Sequence, residues 1–309
     1  MDAAAKRFLS GAELRALSGR SDARGAGRLF VHLAALVAAG WLVAQSGPLT
    51  IVPAMLLLGI VQAALFAPVH ETMHLTAFAS RRANAVVGWL LACPSLLDWH
   101  YYAAFHLAHH RHTQDPARDP ELMTLPPRTL AGYMARIAGV PYWALRARVI
   151  ADCWRGDLSR HPYVPPAARR RVVLSVRAMT VFVAGAAIGA ALFWGWRTPL
   201  VFWVLPQLLG QPVLRAYLLV EHTACSEDAN GLTNTRTTMT NAAVRLLMWN
   251  MPFHAEHHLY PSIPFHRLPD AHGALRDRLA VVQPGYARWH AGFVRGLRRP
   301  QPAAVAELP

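Results

Sequence analysis

Histidines recur in this sequence at the separations that one face of a helix presents. His70-Glu71-Thr72-Met73-His74 sets two imidazoles one turn apart. His106-Leu107-Ala108-His109-His110 and His254-Ala255-Glu256-His257-His258 each gather three more at spacings of three and four. These clusters hold eight of the sixteen histidines. At this histidine content the HxxHH pattern is expected only ~0.04 times in such a chain, and it occurs twice. Imidazole is the commonest metal-binding side chain, so the clusters predict metal coordination. Spacing alone permits iron, zinc, copper or nickel. His222 and Cys225 have HxxC spacing, but no second pair accompanies them, and a separate zinc site is not expected there.

The elements that position these side chains follow from composition. Of 309 residues 54% are hydrophobic and 16% charged, yet the net charge is +14. That much apolar material excludes a disordered chain. Three dispersed cysteines exclude a disulfide scaffold. The apolar residues concentrate in four runs, at 29–45, 49–69, 178–196 and 199–220, near the ~20 residues that cross a bilayer. A fifth run, 85–97, is too short to span and reads as interfacial or re-entrant. The first two spans are joined by Ser46-Gly47-Pro48 and the last two by Arg197-Thr198, making two short hairpins. Basic residues collect elsewhere: Lys6, Arg7, Arg15, Arg20, Arg24 and Arg28 before the first span, Arg81 and Arg82 after the second, Arg169 to Arg171 before the third. The positive-inside rule places all of these in the cytoplasm. The expected fold is therefore an all-α integral membrane protein with four transmembrane helices and both termini cytoplasmic, set in a bacterial cytoplasmic membrane. A tail at 1–28 precedes a single domain at 29–309, whose cytoplasmic helical cap comprises 70–177 and 221–309. The tail has no early apolar core, so no cleaved signal peptide is expected; Ser10 and Glu13 have capping-box spacing for a short helix. Arginines that flank spans rather than forming one patch, without a nucleic-acid motif, exclude a nucleic-acid binder. An even number of spans separates the second and third histidine clusters, so all three fall on one side of the membrane.

The longer stretches around the clusters resemble the membrane fatty acid desaturases and their hydroxylase relatives. Phe105-His106-Leu107-Ala108-His109-His110-Arg111-His112-Thr113, followed by Asp115-Pro116, is similar to the second histidine box of that superfamily. Asn250-Met251-Pro252-Phe253-His254-Ala255-Glu256-His257-His258-Leu259-Tyr260-Pro261 is similar to the third. The resemblance implies two iron ions with dioxygen as co-substrate. It adds His222, shortly after the last span, as a ligand, and Asn250 as a ligand acting through water. Asn250, His254, His257 and His258 would share one stripe if the helix ran unbroken through Pro252. The implied metal set is His70, His74, His106, His109, His110, His222, His254, His257, His258 and Asn250.

The resemblance implies oxygen-dependent desaturation of a lipid acyl chain. A hydroxylase or ketolase acting on a carotenoid or small amphiphilic metabolite would use the same site. A histidine-rich membrane transporter or metal-binding protein is the alternative of a different class, although transport sites usually lie near the bilayer midplane. Acidic neighbours Glu71, Asp115, Asp119, Glu221 and Glu256 are candidates to hold ligand N–H groups. His100, His112, His161, His266, His272 and His290 are left out as ligands. Gln207, Gln211 and Arg215 form a polar stripe on the fourth span, and Arg215 is a candidate to meet a polar end of the substrate. Without a haem motif or a cysteine set for an iron–sulfur cluster, electrons are expected from an external ferredoxin or haem protein with its reductase.

Overall fold

The structure is a computed structural model, and it describes residues 8–298. Lys6, Arg7 and both chain ends lie outside the described residues. A short helix, α1 (Gly11–Leu17), opens with the expected capping box: the Ser10 side chain accepts from Glu13 N–H, and the Glu13 side chain accepts from Ser10 N–H. The N-cap Ser21 then starts α2 (Asp22–Ala44), which contains the first expected span. After a tight turn, α3 (Ile51–Ala63) runs almost directly into α4 (Phe66–Met73). The small break between them has a local cause. Pro68 has no N–H to return to the Ala64 carbonyl, which accepts instead from Ala67 N–H, three residues on, at 3.0 Å. Together α3 and α4 make one apolar rod, Ile51–Met73, that delivers the first histidine pair at its end.

The run at 85–97 becomes α5 (Arg81–Ala92) and a short turn. Asp98 then caps α6 (Trp99–His112) by accepting from Tyr101 N–H, fixing where the second histidine cluster begins. Next come α7 (Leu130–Ile137), α8 (Val140–Arg155) and the long α9 (Pro166–Trp194), which contains the third expected span. Among the described residues three helical rods are long and apolar enough to cross a membrane: Asp22–Ala44, Ile51–Met73 and Pro166–Trp194. The first and last bury only 17% of their most apolar window and turn Phe30, Val37, Ile188 and Phe193 outward. Continuous apolar faces of that extent suit an alkane-like surrounding, not water.

The fourth expected span departs from a regular rod. It is a short turn α10 (Arg197–Pro199), a π-turn over Leu200–Val204, and then α11 (Leu205–His222). Pro206 has no N–H for the Phe202 carbonyl, and the widened turn closes with Leu205 N–H bonding to Leu200 O. The orphaned Phe202 carbonyl accepts from Gln62 Nε2 of α3 at 2.6 Å. The backbones of α3 and α11 touch: a Cβ built on Gly59 would lie 1.9 Å from the Pro206 carbonyl oxygen. This close contact sets the register between the rod ending in His70 and His74 and the rod ending in His222.

The rest of the chain caps that end. It comprises α12 (Ala242–Leu247), α13 (His254–Leu259), α14 (Leu268–Leu275) and α15 (Tyr286–Leu297), with one two-residue parallel pairing, Thr237–Thr238 with Val282–Gln283. The shared stripe expected for Asn250 and the third cluster is corrected here. Trp249 and Asn250 adopt left-handed backbone angles (φ +48° and +59°), and α13 begins only at His254. Pro252 cannot donate to a helix through this stretch, so the chain turns before the histidines rather than spiralling into them.

Candidate metal centre

Nine imidazoles meet where the ends of α4 and α11 face α6 and α13. His257 Nε2 lies 3.1 Å from His74 Nε2 and 3.2 Å from His110 Nε2, and His110 Nε2 lies 3.0 Å from His106 Nε2. With His70, whose ring centroid is 4.6 Å from those of both His106 and His257, these five form one lobe. In a second lobe His222 Nε2 lies 3.2 Å from His109 Nε2 and 3.1 Å from His254 Nε2, and His258 packs against all three rings. The lobes touch where the His110 and His258 rings stack at 4.1 Å.

These contacts are not a set of hydrogen bonds. Burial first, then the neighbouring imidazoles, hold His106, His110, His254, His257 and His258 well below the ordinary histidine pKa, so these rings are neutral. A neutral imidazole has one N–H and one lone pair, and three nitrogens converging on one point cannot all donate to one another. Two ligand nitrogens about 2.1 Å from a common ion and at right angles to it lie about 3.0 Å apart, which is the spacing seen. Both ring nitrogens of His70 and Nε2 of His258 are buried with no hydrogen-bond partner. The donor set fits metal ions, and all-nitrogen coordination suits iron, zinc, copper or nickel.

The surrounding groups fix which nitrogen points inward. His109 Nδ1–H donates to Asp119 at 2.9 Å, and Asp119 is itself held by the Gln114 and Glu121 N–H groups. Burial opposes a charge on His109, but Glu121 and Asp119 outweigh it and raise its pKa. The Thr113 hydroxyl donates to the His109 carbonyl at 2.8 Å, which leaves its oxygen to accept from His258 Nδ1–H at 3.3 Å and frees His258 Nε2. His222 Nδ1–H donates to the Asn234 carbonyl at 3.2 Å. Such partners set tautomer and aim, and their loss typically costs about 10–100-fold in affinity or activity. Asp119→Asn should lower activity by about that factor while leaving both lobes folded; metal content and turnover measured together check this.

Of the candidate acids, Asp119 accepts from His109, and Glu221 comes within 3.6 Å of His254 Nε2. Glu71 instead accepts from Phe265 N–H, Asp115 pairs with Arg118 near the surface, and Glu256 binds Thr237 and His272. Sequence reasoning missed Glu121, whose carboxylate lies 3.8 Å from His109 Nε2 and close to His106. The available signal was Asp119-Pro120-Glu121, a capped turn just after the second cluster. The Asn250 amide donates to the Phe265 carbonyl at 2.9 Å. Arg215 lines a cavity beside His70, His106 and His254 and lies over the Tyr142 ring at 4.3 Å. Gln211 donates to Gln207 at 3.2 Å, and neither glutamine lines that cavity. His161 belongs to a separate buried network with Tyr163 and Asp152, and His290 bonds Tyr133 and the Ala216 carbonyl.

The described residues thus form a mostly helical protein with three apolar rods of bilayer length and a buried two-lobed histidine cluster that could hold metal ions. The fatty acid desaturase profile matches residues 46–290, and the chain belongs to that family. Its relatives are distant. A dihydrorhizobitoxine desaturase of Bradyrhizobium elkanii is 26% identical over 82% of this chain and 75% of its own length. An sn-1 oleoyl-lipid 12-desaturase of Picosynechococcus is 24% identical over 81% of this chain and 76% of its own. A sphingolipid delta(4)-desaturase of Drosophila melanogaster is 25% identical over 69% and 62% respectively.

Proposed function

We propose that the chain is an oxygen-dependent di-iron desaturase that spans the membrane four times, with its histidine site and both termini on the cytoplasmic side. The observation that carries this reading is the pair of buried imidazole lobes, each with nitrogens converging at metal-ligand spacing. His70, His74, His106, His110 and His257 would hold one iron; His109, His222, His254 and His258 would hold the other. Bound there, the two ions would supply the dioxygen chemistry that breaks an unactivated C–H bond. The protein's part is to aim the nitrogens through Asp119, Thr113 and the Asn234 carbonyl, and to keep the reacting chain in a dry cavity walled by Phe66, Tyr102 and Leu218. The overall change removes two hydrogens from adjacent carbons of an aliphatic chain. With two electrons and two protons from outside, dioxygen leaves as two waters. The electron source is an external ferredoxin or haem protein with its reductase, and the basic span ends favour an acidic donor.

Relatives named for lipid acyl chains and one named for dihydrorhizobitoxine together support an aliphatic substrate without fixing its size. The test is expression of the full chain in a host of simple lipid content, with and without oxygen, followed by mass spectrometry of lipids and polar metabolites. A product two mass units lighter that forms only with oxygen is expected, together with two irons per purified chain. A gain of one oxygen atom would make the enzyme a hydroxylase, and iron well below two per chain would overturn the di-iron reading.

A further inference from the structure

The cavity beside the histidines is small and carries an unusual set of charges. Its volume is about 140 Å³. A cavity of about 150 Å³ holds a ligand the size of benzene, so this one suits a short aliphatic segment better than a long acyl chain. Phe66, Phe105, Leu145 and Leu218 supply apolar wall, while Arg136, Arg146 and Arg215 also line the space.

Two of these arginines share one aromatic ring. Arg215 lies over Tyr142 at 4.3 Å and Arg146 over the same ring at 5.5 Å, and Tyr142 is anchored by donating its hydroxyl to the Ser95 carbonyl at 2.6 Å. Arg146 is only 5% exposed; its Nε and Nη1, and Nε of Arg215, have no hydrogen-bond partner. The ion pairs among the described residues include none of the three arginines. Glu121 and Glu221 also line the cavity, but both approach histidines. Two guanidiniums gathered on one ring with no carboxylate in ion-pair contact are costly unless an anion joins them, and the planar guanidinium matches a carboxylate with two parallel hydrogen bonds.

We propose that the cavity takes a short anionic amphiphile, its carboxylate held by Arg146 and Arg215 beside Tyr142 and its aliphatic segment lying along Phe66, Leu145 and Leu218 toward the histidines. This rests on the desaturase reading for what happens to the chain, but the binding stands apart from it. It also gives Arg146, which carries no signal in the sequence, a role in holding the carboxylate.

Titration calorimetry on the full-length protein in phosphatidylcholine nanodiscs, without reductant or oxygen, tests the binding. The probes are octanoate, octyl phosphate, octan-1-ol and palmitate. Octanoate should bind at least about tenfold more tightly than octan-1-ol, the difference expected when a charged hydrogen-bonded head is lost. Arg146→Gln and Arg215→Gln should each weaken octanoate by about tenfold and leave octan-1-ol nearly unchanged. Equal affinity for octanoate and octan-1-ol, or variants that bind octanoate normally, would overturn the proposal. Tighter binding of palmitate than octanoate would overturn the short chain, and tighter binding of octyl phosphate would overturn the carboxylate. Should both variants fail to fold, the octanoate to octan-1-ol ratio on the unaltered protein decides. Because no turnover is needed, carboxylate binding without desaturation would sink only the reading above, and desaturation of a chain that binds without regard to charge would sink only this one.

Discussion

His257→Ala should lose one of the two irons proposed above and, with it, turnover. His257 Nε2 sits within 3.2 Å of both His74 and His110, and its ring lies 4.6 Å from that of His70. It is the one imidazole of its lobe supplied by α13, so its removal separates the third cluster from the first. Losing a group that merely orients a ligand costs about 10–100-fold, so loss of the ligand itself should exceed that range. Iron per chain should fall toward one, and product should fall to background. His161→Ala is the control, since His161 is equally buried but bonds Asp152 and Tyr163; it should retain both irons. A His257→Ala protein with two irons and ordinary turnover would remove His257 from the ligand set.

Gly59→Ala should act on the scaffold instead. The added Cβ would fall 1.9 Å from the Pro206 carbonyl oxygen and 2.9 Å from Gly210 N, and neither backbone atom can swing aside as a flexible side chain would. Gly210→Ala meets the mirror problem, 2.0 Å from the Gly59 carbonyl oxygen. The helices would have to part, at a cost of about 3 kcal/mol, the upper part of the usual range for overpacking. Parting them also strips the Phe202 carbonyl of its Gln62 partner and shifts the His222 end relative to the His70 end. The expected result is a lowered unfolding temperature together with lost iron. Gly40→Ala, on α2 with nothing within 4 Å of the new Cβ, should be neutral or slightly stabilising. An unchanged unfolding temperature in Gly59→Ala would refute the tight α3–α11 contact.

Much of the site was legible because its signal is local. Helical spacing groups the histidines within each cluster, and residues at i, i+3 and i+4 land on one face whatever the remainder of the fold does. Apolar runs locate the rods for the same reason. His222 came only from the family resemblance, and the structure brings it to 3.2 Å from His109. The failures are long-range. The stripe through Asn250 assumed one uninterrupted helix, which two left-handed residues and Pro252 prevent. In the fourth apolar run Pro206 widens the helix into a π-turn whose open carbonyl accepts from a glutamine on another helix, a partner no local pattern reveals. Glu121, Thr113 and Arg146 carry no periodic signal at all. Their partners lie across turns or on other elements, so their roles exist only once the chain has folded.

The 183 positions separating His74 from His257 have a meaning in time as well as in space. Chains grow at about 5–20 residues per second, so the first histidine pair waits roughly 10–40 s for the residues that complete its lobe. His106 and His110 of the same lobe follow within 36 positions, so for most of that interval the lobe is a four-nitrogen site that lacks only His257. Intrinsic affinity at such a site runs toward copper and zinc ahead of ferrous iron. If the lobes hold iron as proposed, the metal would then be settled by what the cell offers while the protein is still being made.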